Sequence, residues 1–209
     1  MDAYGSLRMP VVAPDDMTPR AFVGDFCAPG LPLIVCGATA VEPWAAARRE
    51  LLGTEAAPTS WREKLISDPK FATLAAELST NRRDDTAAPS VDAGDLPLAA
   101  TIPMLAEENT DGTRLYVKVP LSDEICEQWR LSTFLNESPL TSVKHPMLLS
   151  PGHYFSWMYI GQQGSVSRTH VDIMCSDAGL VVLEGEKEWV MVHPLDKHMV
   201  QDAAGEFAD

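Results

Sequence analysis

The chain has 209 residues, 45% of them hydrophobic, which is ordinary for one globular domain and excludes a wholly disordered protein. The formal net charge of −14 disfavours nucleic-acid binding, because that affinity comes largely from Lys and Arg neutralising phosphates. No apolar run approaches the ~20 residues that a membrane span requires, and residues 1–16 lack the basic flank and apolar stretch of a secretion signal, so we expect a soluble, unsecreted protein.

The four cysteines, Cys27, Cys36, Cys126 and Cys175, are scattered along the chain and form no CxxC pair. Their spacing indicates neither a zinc knuckle nor a dense disulfide framework. Reduced thiols fit this spacing best, and they are typical of the cytoplasm or the nucleus.

The N-terminal part of the sequence predicts short helices around one buried strand. Thr18 followed by Pro19 is typical of a helix N-cap and first helical position, and Ser60 is suited to cap a second helix. The predicted elements are a helix over 20–29, a buried strand over 31–35, and helices over 42–52 and 61–66.

Residues 79–100 (STNRRDDTAAPSVDAGDLPLAA) are rich in Ala, Asp, Pro and Ser and show little hydrophobic periodicity. This composition predicts a loop or a flexible insertion. It lies inside the N-terminal region that we assign to residues 1–113.

From Arg114 onward, strand signals dominate the sequence. The predicted elements are strands over 114–121, 153–161, 165–172, 178–185 and 187–194, a helix that opens at Ser122, and a turn at 162–164. Short strands at this spacing are typical of an antiparallel barrel or jelly roll. We therefore expect a mainly β fold with N-terminal helices, in which residues 114–209 form the first part of the barrel.

His170 and Asp172 carry the clearest chemical signal. Side chains at i and i+2 of a strand lie on the same face, so the imidazole and the carboxylate are expected to point to one side, with Val171 turned away. One neutral imidazole and one carboxylate are two of the three ligands in the facial triad that holds iron(II) and leaves positions open for a co-substrate and oxygen.

Three motifs surround this pair: WMYIGQQG (157–164), SRTHVD (167–172) and LEGEKEWVMVHP (183–194). Together they resemble the Jumonji-C family of the cupin superfamily, including its asparaginyl and lysyl hydroxylases and its lysine demethylases, and the resemblance covers residues 114–194 well. The stretch LPLIVCGAT (31–39), followed by Trp44, is similar to the N-terminal part of hydroxylase-type members. The resemblance implies a cupin double-stranded β-helix that uses Fe(II) and 2-oxoglutarate.

The resemblance also implies a role for each matching residue. His170 and Asp172 are expected to bind iron, and Lys187 is expected to bind the far carboxylate of 2-oxoglutarate. An ammonium group at an inward-facing strand position is unfavourable unless it is paired, and a dicarboxylate co-substrate supplies that partner. Tyr116 matches a family tyrosine whose hydroxyl holds the same carboxylate; Ser167 matches a family hydroxyl position, and Thr169 is an alternative donor.

The sequence departs from the family pattern in its third metal ligand, in the length of its barrel and at Gly179. The third iron ligand is a histidine on a late barrel strand, which the sequence up to Asp209 does not supply; His193, with the same strand parity as Lys187, is the candidate for a substitute. A closed jelly roll needs more chain than follows Asp172, so we expect an incomplete barrel whose open edges favour self-association. Gly179 stands where relatives commonly carry a bulky aromatic residue, which implies a looser cavity.

The leading hypothesis is therefore an Fe(II)- and 2-oxoglutarate-dependent oxygenase that hydroxylates a protein side chain or demethylates N-methyl-lysine. The acidic chain would favour a basic protein substrate. The alternative hypothesis is a catalytically inactive, truncated cupin-like module for binding or assembly. A zinc or manganese cupin enzyme is a third reading, because imidazole and carboxylate suit several metals.

Overall fold

The computed structural model describes residues 9–40, 44–82, 91–107, 112–129, 156–167, 169–172 and 178–201. The chain divides into two units. The terminal unit takes its described residues from Met1–Ala45 and Thr169–Asp209, and the sheet unit takes them from Ala46–Arg130 and Ser138–Arg168.

The terminal unit begins with two short strands and a helix between them. Its elements are β1 (Val11–Val12), α1 (Pro19–Ala21), a π-helical continuation over Phe22–Cys27, and β2 (Ile34–Val35), which pairs in parallel with β1. The Thr18 hydroxyl accepts a hydrogen bond from the Ala21 N–H at 3.2 Å, so the predicted cap and helix start are confirmed.

The terminal unit contains little buried apolar surface. Among its described residues, Met17 is the one hydrophobic side chain that is buried, whereas Val190 is 86% exposed. The expectation of a buried strand over 31–35 is wrong: the strand is shorter, and Leu31 and Ile34 are exposed because no described element covers them.

The sheet unit opens with helices whose ends follow local sequence signals. Its first elements are α2 (Trp44–Leu52), which belongs to this unit from Ala46 onward, β3 (Gly53–Thr54), β4 (Ala57–Pro58), α3 (Trp61–Ser67) and α4 (Pro69–Ala72). The Ser60 hydroxyl accepts from the Glu63 N–H at 3.4 Å, which confirms the predicted cap of α3. Gly53 has a φ of +73°, and a Cβ there would lie 2.6 Å from the Thr59 nitrogen, so only glycine fits between α2 and the small hairpin.

A four-stranded antiparallel sheet forms the centre of this unit. Its further elements are β5 (Ala75–Arg82), β6 (Val91–Pro97), α5 (Leu98–Met104), β7 (Thr113–Pro120), α6 (Asp123–Gln128) and β8 (Trp157–Gly161), and the strand order is β6-β5-β7-β8. The predicted strand after Arg114 and the predicted helix after Ser122 are confirmed within the described residues. The sequence pattern separates residues 1–113 from residues 114–209. The sheet joins strands of both regions, because β5 and β6 pair with β7 and β8 in one sheet.

The two faces of the sheet differ in burial. On β7, Leu115, Val117 and Val119 are buried, and they share a face with the buried Leu78 of β5. Helices α3 and α5 pack against each other, and α5 contacts β5, β6 and β7. The core of the sheet unit therefore lies on the helix side of this sheet, and the opposite face carries half-buried side chains.

The prediction of a loop over 79–100 is wrong where the structure describes that stretch. Residues 79–82 belong to β5, residues 91–97 form β6, and Leu98 begins α5. β5 pairs with strands on both sides, so pairing outweighs a composition that disfavours strands. Residues 83–90 lie outside the described part of the chain.

The strands predicted over 165–172 and 178–194 do not appear among the described residues of those stretches. Strands are stabilised by pairing and by burying one face, and most of these side chains are exposed. Within the described residues helix is more abundant than strand, so the expected mainly β fold is confirmed only in its coarser form, helices combined with antiparallel sheets.

The described strands form open sheets, and the jelly roll remains a prediction. Within the described residues, none of the helices has the length and apolar character needed to cross a membrane.

Candidate metal and co-substrate site

His170 and Asp172 lie in the terminal unit with their polar atoms close together. The His170 Nε2 and the Asp172 Oδ1 are 3.4 Å apart, and the two side chains are 61% and 44% exposed. The predicted convergence of the two side chains is present although the segment is not a strand. The pair presents one nitrogen and one oxygen donor toward solvent.

The separation of these donors suits a shared metal ion. Two donor atoms ~2.1 Å from one metal, at tetrahedral or octahedral angles, are about 3.0–3.4 Å apart. The donor set therefore fits two of the three protein ligands of a facial triad. Among the residues that the structure describes, no third His, Cys, Asp or Glu completes a metal-binding group with them.

His193 is engaged in local structure rather than in such a group. Its Nδ1 accepts a hydrogen bond from the Leu195 N–H at 3.2 Å, and it caps the 3₁₀-helix Pro194–Met199. The hypothesis that His193 replaces the missing ligand gains no support from the described part of the chain.

Lys187 lies in the terminal unit and contacts an aromatic ring on its own segment. Its Nζ is 4.6 Å from the centre of the Trp189 ring, which is cation–π distance. Glu184, Glu186 and Glu188 flank it, and all of these side chains are exposed. The expected inward-facing strand position is therefore not observed here, because residues 187–194 form no strand.

Tyr116 lies on the half-buried face of the sheet, in the sheet unit. Its ring stacks on that of Tyr159, with centroids 5.8 Å apart and an interplanar angle of 27°. The register aligns Tyr116 with Gly161, and a Cβ at Gly161 would lie 3.0 Å from the Tyr116 Cδ2. A side chain at position 161 would meet the Ser165 Oγ and press on the Tyr116 ring, so the glycine suits this close approach.

The hydroxyl donors predicted from the resemblance are at the surface, and so is the glycine that stands where relatives commonly carry a bulky aromatic residue. Ser167 and Thr169 are exposed, the first in the sheet unit and the second in the terminal unit, and Gly179 is exposed as well. The structure thus brings His170 and Asp172 together, and it assigns Tyr116 and Ser167 to a different unit from the metal-ligand pair and Lys187.

Gln162, in the sheet unit, makes several side-chain hydrogen bonds that the sequence did not predict. The sequence indicated only a turn at 162–164, which is confirmed by the hydrogen bond from the Ser165 N–H to the Gln162 carbonyl at 3.0 Å. Its side chain also bonds to Leu115, Leu105 and Glu107. The only sequence signal is a pair of glutamines between two glycines, GQQG (161–164), at the end of a strand.

Comparison of the chain with models of known protein families, with curated proteins and with solved structures finds no match.

Proposed function

We propose that this protein is an Fe(II)- and 2-oxoglutarate-dependent oxygenase of the Jumonji-C type. The observation that carries the proposal is the approach of the His170 Nε2 to the Asp172 Oδ1, 3.4 Å apart on exposed side chains. Imidazole and carboxylate at this separation are donors suited to a divalent metal with open positions.

Iron(II) with bound 2-oxoglutarate would supply the oxidising power for hydroxylation by molecular oxygen, with succinate and carbon dioxide as co-products. The chain's own residues have simpler tasks. His170 and Asp172 would hold the metal, and the Lys187 ammonium would pair with the far carboxylate of the co-substrate. Tyr116, Ser167 and Thr169 remain the residues to which the resemblance assigns a further hydrogen bond with that carboxylate, and Thr169 belongs to the same unit as the metal-ligand pair.

The substrate class that we propose is a basic protein segment, either hydroxylated on a side chain or demethylated at N-methyl-lysine. The formal charge of −14 supports a cationic partner, because complementary charge accelerates encounter. We place this activity in the cytoplasm or the nucleus.

A second candidate is a non-catalytic cupin-like module for binding or assembly, including self-association. It is favoured by two observations within the described residues: no third ligand joins His170 and Asp172, and the Lys187 ammonium lies over the Trp189 ring. In this reading the ligand residues are relics of an oxygenase ancestor.

Anaerobic titration with Fe(II) and 2-oxoglutarate separates the two candidates. The oxygenase should give a visible charge-transfer band and, with oxygen and a basic peptide library, produce succinate. Asp172→Ala should abolish the band, whereas Asp196→Ala, an exposed aspartate of the same unit, should leave it unchanged. Absence of both band and succinate in the wild type would reject the oxygenase and leave the binding module.

Lys187→Met tests the co-substrate assignment separately from the metal. A charge-assisted hydrogen bond contributes about 1.5–3 kcal/mol, so the Kd for 2-oxoglutarate should rise by about ten- to a hundredfold. Lys197→Met removes another exposed lysine of the terminal unit and should leave that Kd unchanged. Equal Kd values for the two variants would contradict the role of Lys187.

A further inference from the structure

Four charged or aromatic side chains form one row across all four strands of the central sheet. Asp95 of β6 is aligned with Glu77 of β5. Glu77 is aligned with Lys118 of β7, which in turn is aligned with Tyr159 of β8. Directly opposite residues of an antiparallel pair point to the same face. Because Val117, next to Lys118, is buried on the helix side, this cross-strand row lies on the opposite face of the sheet unit.

The cross-strand row carries two carboxylates and one ammonium group. The Lys118 Nζ is 3.5 Å from the Glu77 Oε2, and these side chains are 34% and 44% exposed. Like charges directly opposite each other are destabilising, so a second cation beside Glu77 and the exposed Asp95 would be favourable. Arg114 is on the same strand as Lys118 but roughly 13 Å along it, which exceeds the ~8 Å Debye length at physiological salt. The charge of the row therefore complements a cationic group.

Aromatic rings adjoin the ammonium end of the row. The Lys118 Nζ lies 4.0 Å from the centre of the Trp157 ring. The Tyr159 ring stacks on that of Tyr116, and Tyr159 is still 41% exposed. Ring faces attract cations, and they can also pack against the apolar stems of lysine and arginine. The Trp157 ring and the Glu77 carboxylate already bind one ammonium group, that of Lys118, so this face suits such a group chemically.

We propose that this sheet face is a docking surface for a peptide segment that bears lysine or arginine. A cationic head group of the segment pairs with Asp95 and Glu77, and its apolar stem lies on the Tyr159 ring. The formal net charge of −14 favours the same partner over a nucleic acid. That the bound segment is the substrate of the oxygenase rests on the proposed function, whereas its binding to this face does not.

The test is a titration of a fluorescein-labelled peptide of alternating lysine and glycine with the full chain. Fluorescence anisotropy gives the Kd, in EDTA without 2-oxoglutarate, and at about 0.15 M salt, where distant charges are screened. Asp95→Asn and Tyr159→Ser should each raise the Kd about two- to fivefold. Glu127→Gln removes an exposed carboxylate of α6, outside the sheet, and should leave the Kd unchanged.

Lys118→Met has an expected result of opposite sign. It removes the ammonium group that competes with the peptide for the Glu77 carboxylate and the Trp157 ring, so the Kd should fall about two- to fivefold. Lys197→Met makes the same change in net charge at an exposed lysine of the terminal unit and should leave the Kd unchanged. Should Lys118→Met not fold, Lys118→Gln carries the same expectation. Equal shifts for the variants at positions 118 and 197 would indicate only a general attraction to an acidic chain and would overturn the proposal.

Failure of this proposal is distinguishable from failure of the proposed function. Absence of the charge-transfer band would reject the oxygenase, and the peptide titration, made without metal, would still decide the docking surface. No peptide binding by the wild type, or an unchanged Kd in both Asp95→Asn and Lys118→Met, would overturn the docking surface. Tighter binding of a single-stranded oligonucleotide, weakened by Tyr159→Ser, would also overturn it, because the rings would then stack on bases.

Discussion

The ion pair between Glu50 of α2 and Lys70 of α4 is predicted to be a strong polar contributor to stability. The Lys70 Nζ lies 3.0 Å from the Glu50 Oε1, and the two side chains are only 15% and 18% exposed. The Trp129 Nε1–H donates to the other Glu50 oxygen at 2.9 Å, and Lys70 also donates to the Gln128 side chain. The pair therefore ties α2 and α4 to residues at the end of α6.

The perturbation is a double-mutant cycle of Glu50→Gln and Lys70→Met. Gln at position 50 retains an acceptor for Trp129 but loses the charge, and Met at position 70 retains most of the volume of lysine. Removing one partner of a fully buried pair costs about 3–5 kcal/mol, and the partial exposure reduces our expectation to ~2 kcal/mol for each single variant. We expect a coupling free energy of about 1.5 kcal/mol.

Urea unfolding followed by tryptophan fluorescence measures each free energy, with the m-value showing whether unfolding remains two-state. The control is the pair Lys118–Glu77, which is 3.5 Å apart on side chains that are 34% and 44% exposed. Its cycle should give a coupling of ~0.5 kcal/mol or less. A coupling for Glu50 and Lys70 no larger than that of the control would refute the reasoning.

Three further changes test other features of the sheet unit. Gly161→Ala should destabilise the protein by about 1–3 kcal/mol in urea unfolding, because the new Cβ would clash with the Ser165 Oγ and press on the Tyr116 ring; an unchanged midpoint would show that both side chains move aside without cost. Gly164→Ala should cost about 1–2 kcal/mol, because alanine is strained at a φ of +82°; equal stability would mean that the turn changes type. The hydrogen bond from Lys64, and then that from the Lys70 N–H, hold the pKa of Asp68 below its ordinary 3.8. A lowered folded-state pKa gives stability that is present above the unfolded pKa and is lost as pH falls through the folded value. Asp68→Asn should therefore be less stable than wild type near pH 6 and approach it below about pH 4 in thermal unfolding; a difference that stays constant with pH would contradict the charge as its source.

The local features of the fold could be predicted because their causes lie within a few residues. The hydroxyls of Thr18 and Ser60 each accept from an N–H three residues on, and the alternation of Leu115, Val117 and Val119 gives one buried face of β7. The convergence of His170 and Asp172 is of the same kind, since the two residues are only two positions apart in the chain.

Features that depend on distant pairing could not be predicted. β5 is polar over Ser79 and Thr80, but its register with Tyr116 and Leu115 stabilises it as a central strand. The opposite error occurred over residues 178–194, where an alternating sequence has no described pairing partner. Gln162 was missed because its side-chain partners are tens of residues away in sequence.

The exposure of His170 and Asp172 has an evolutionary consequence. Side chains that are 61% and 44% exposed contribute little to a packed core, so their replacement would cost folding little. Selection for a stable fold therefore does not retain them. Among descendants of a common ancestor, the rate of substitution at these two positions, compared with that at other exposed residues of the terminal unit, measures selection on ligand binding directly.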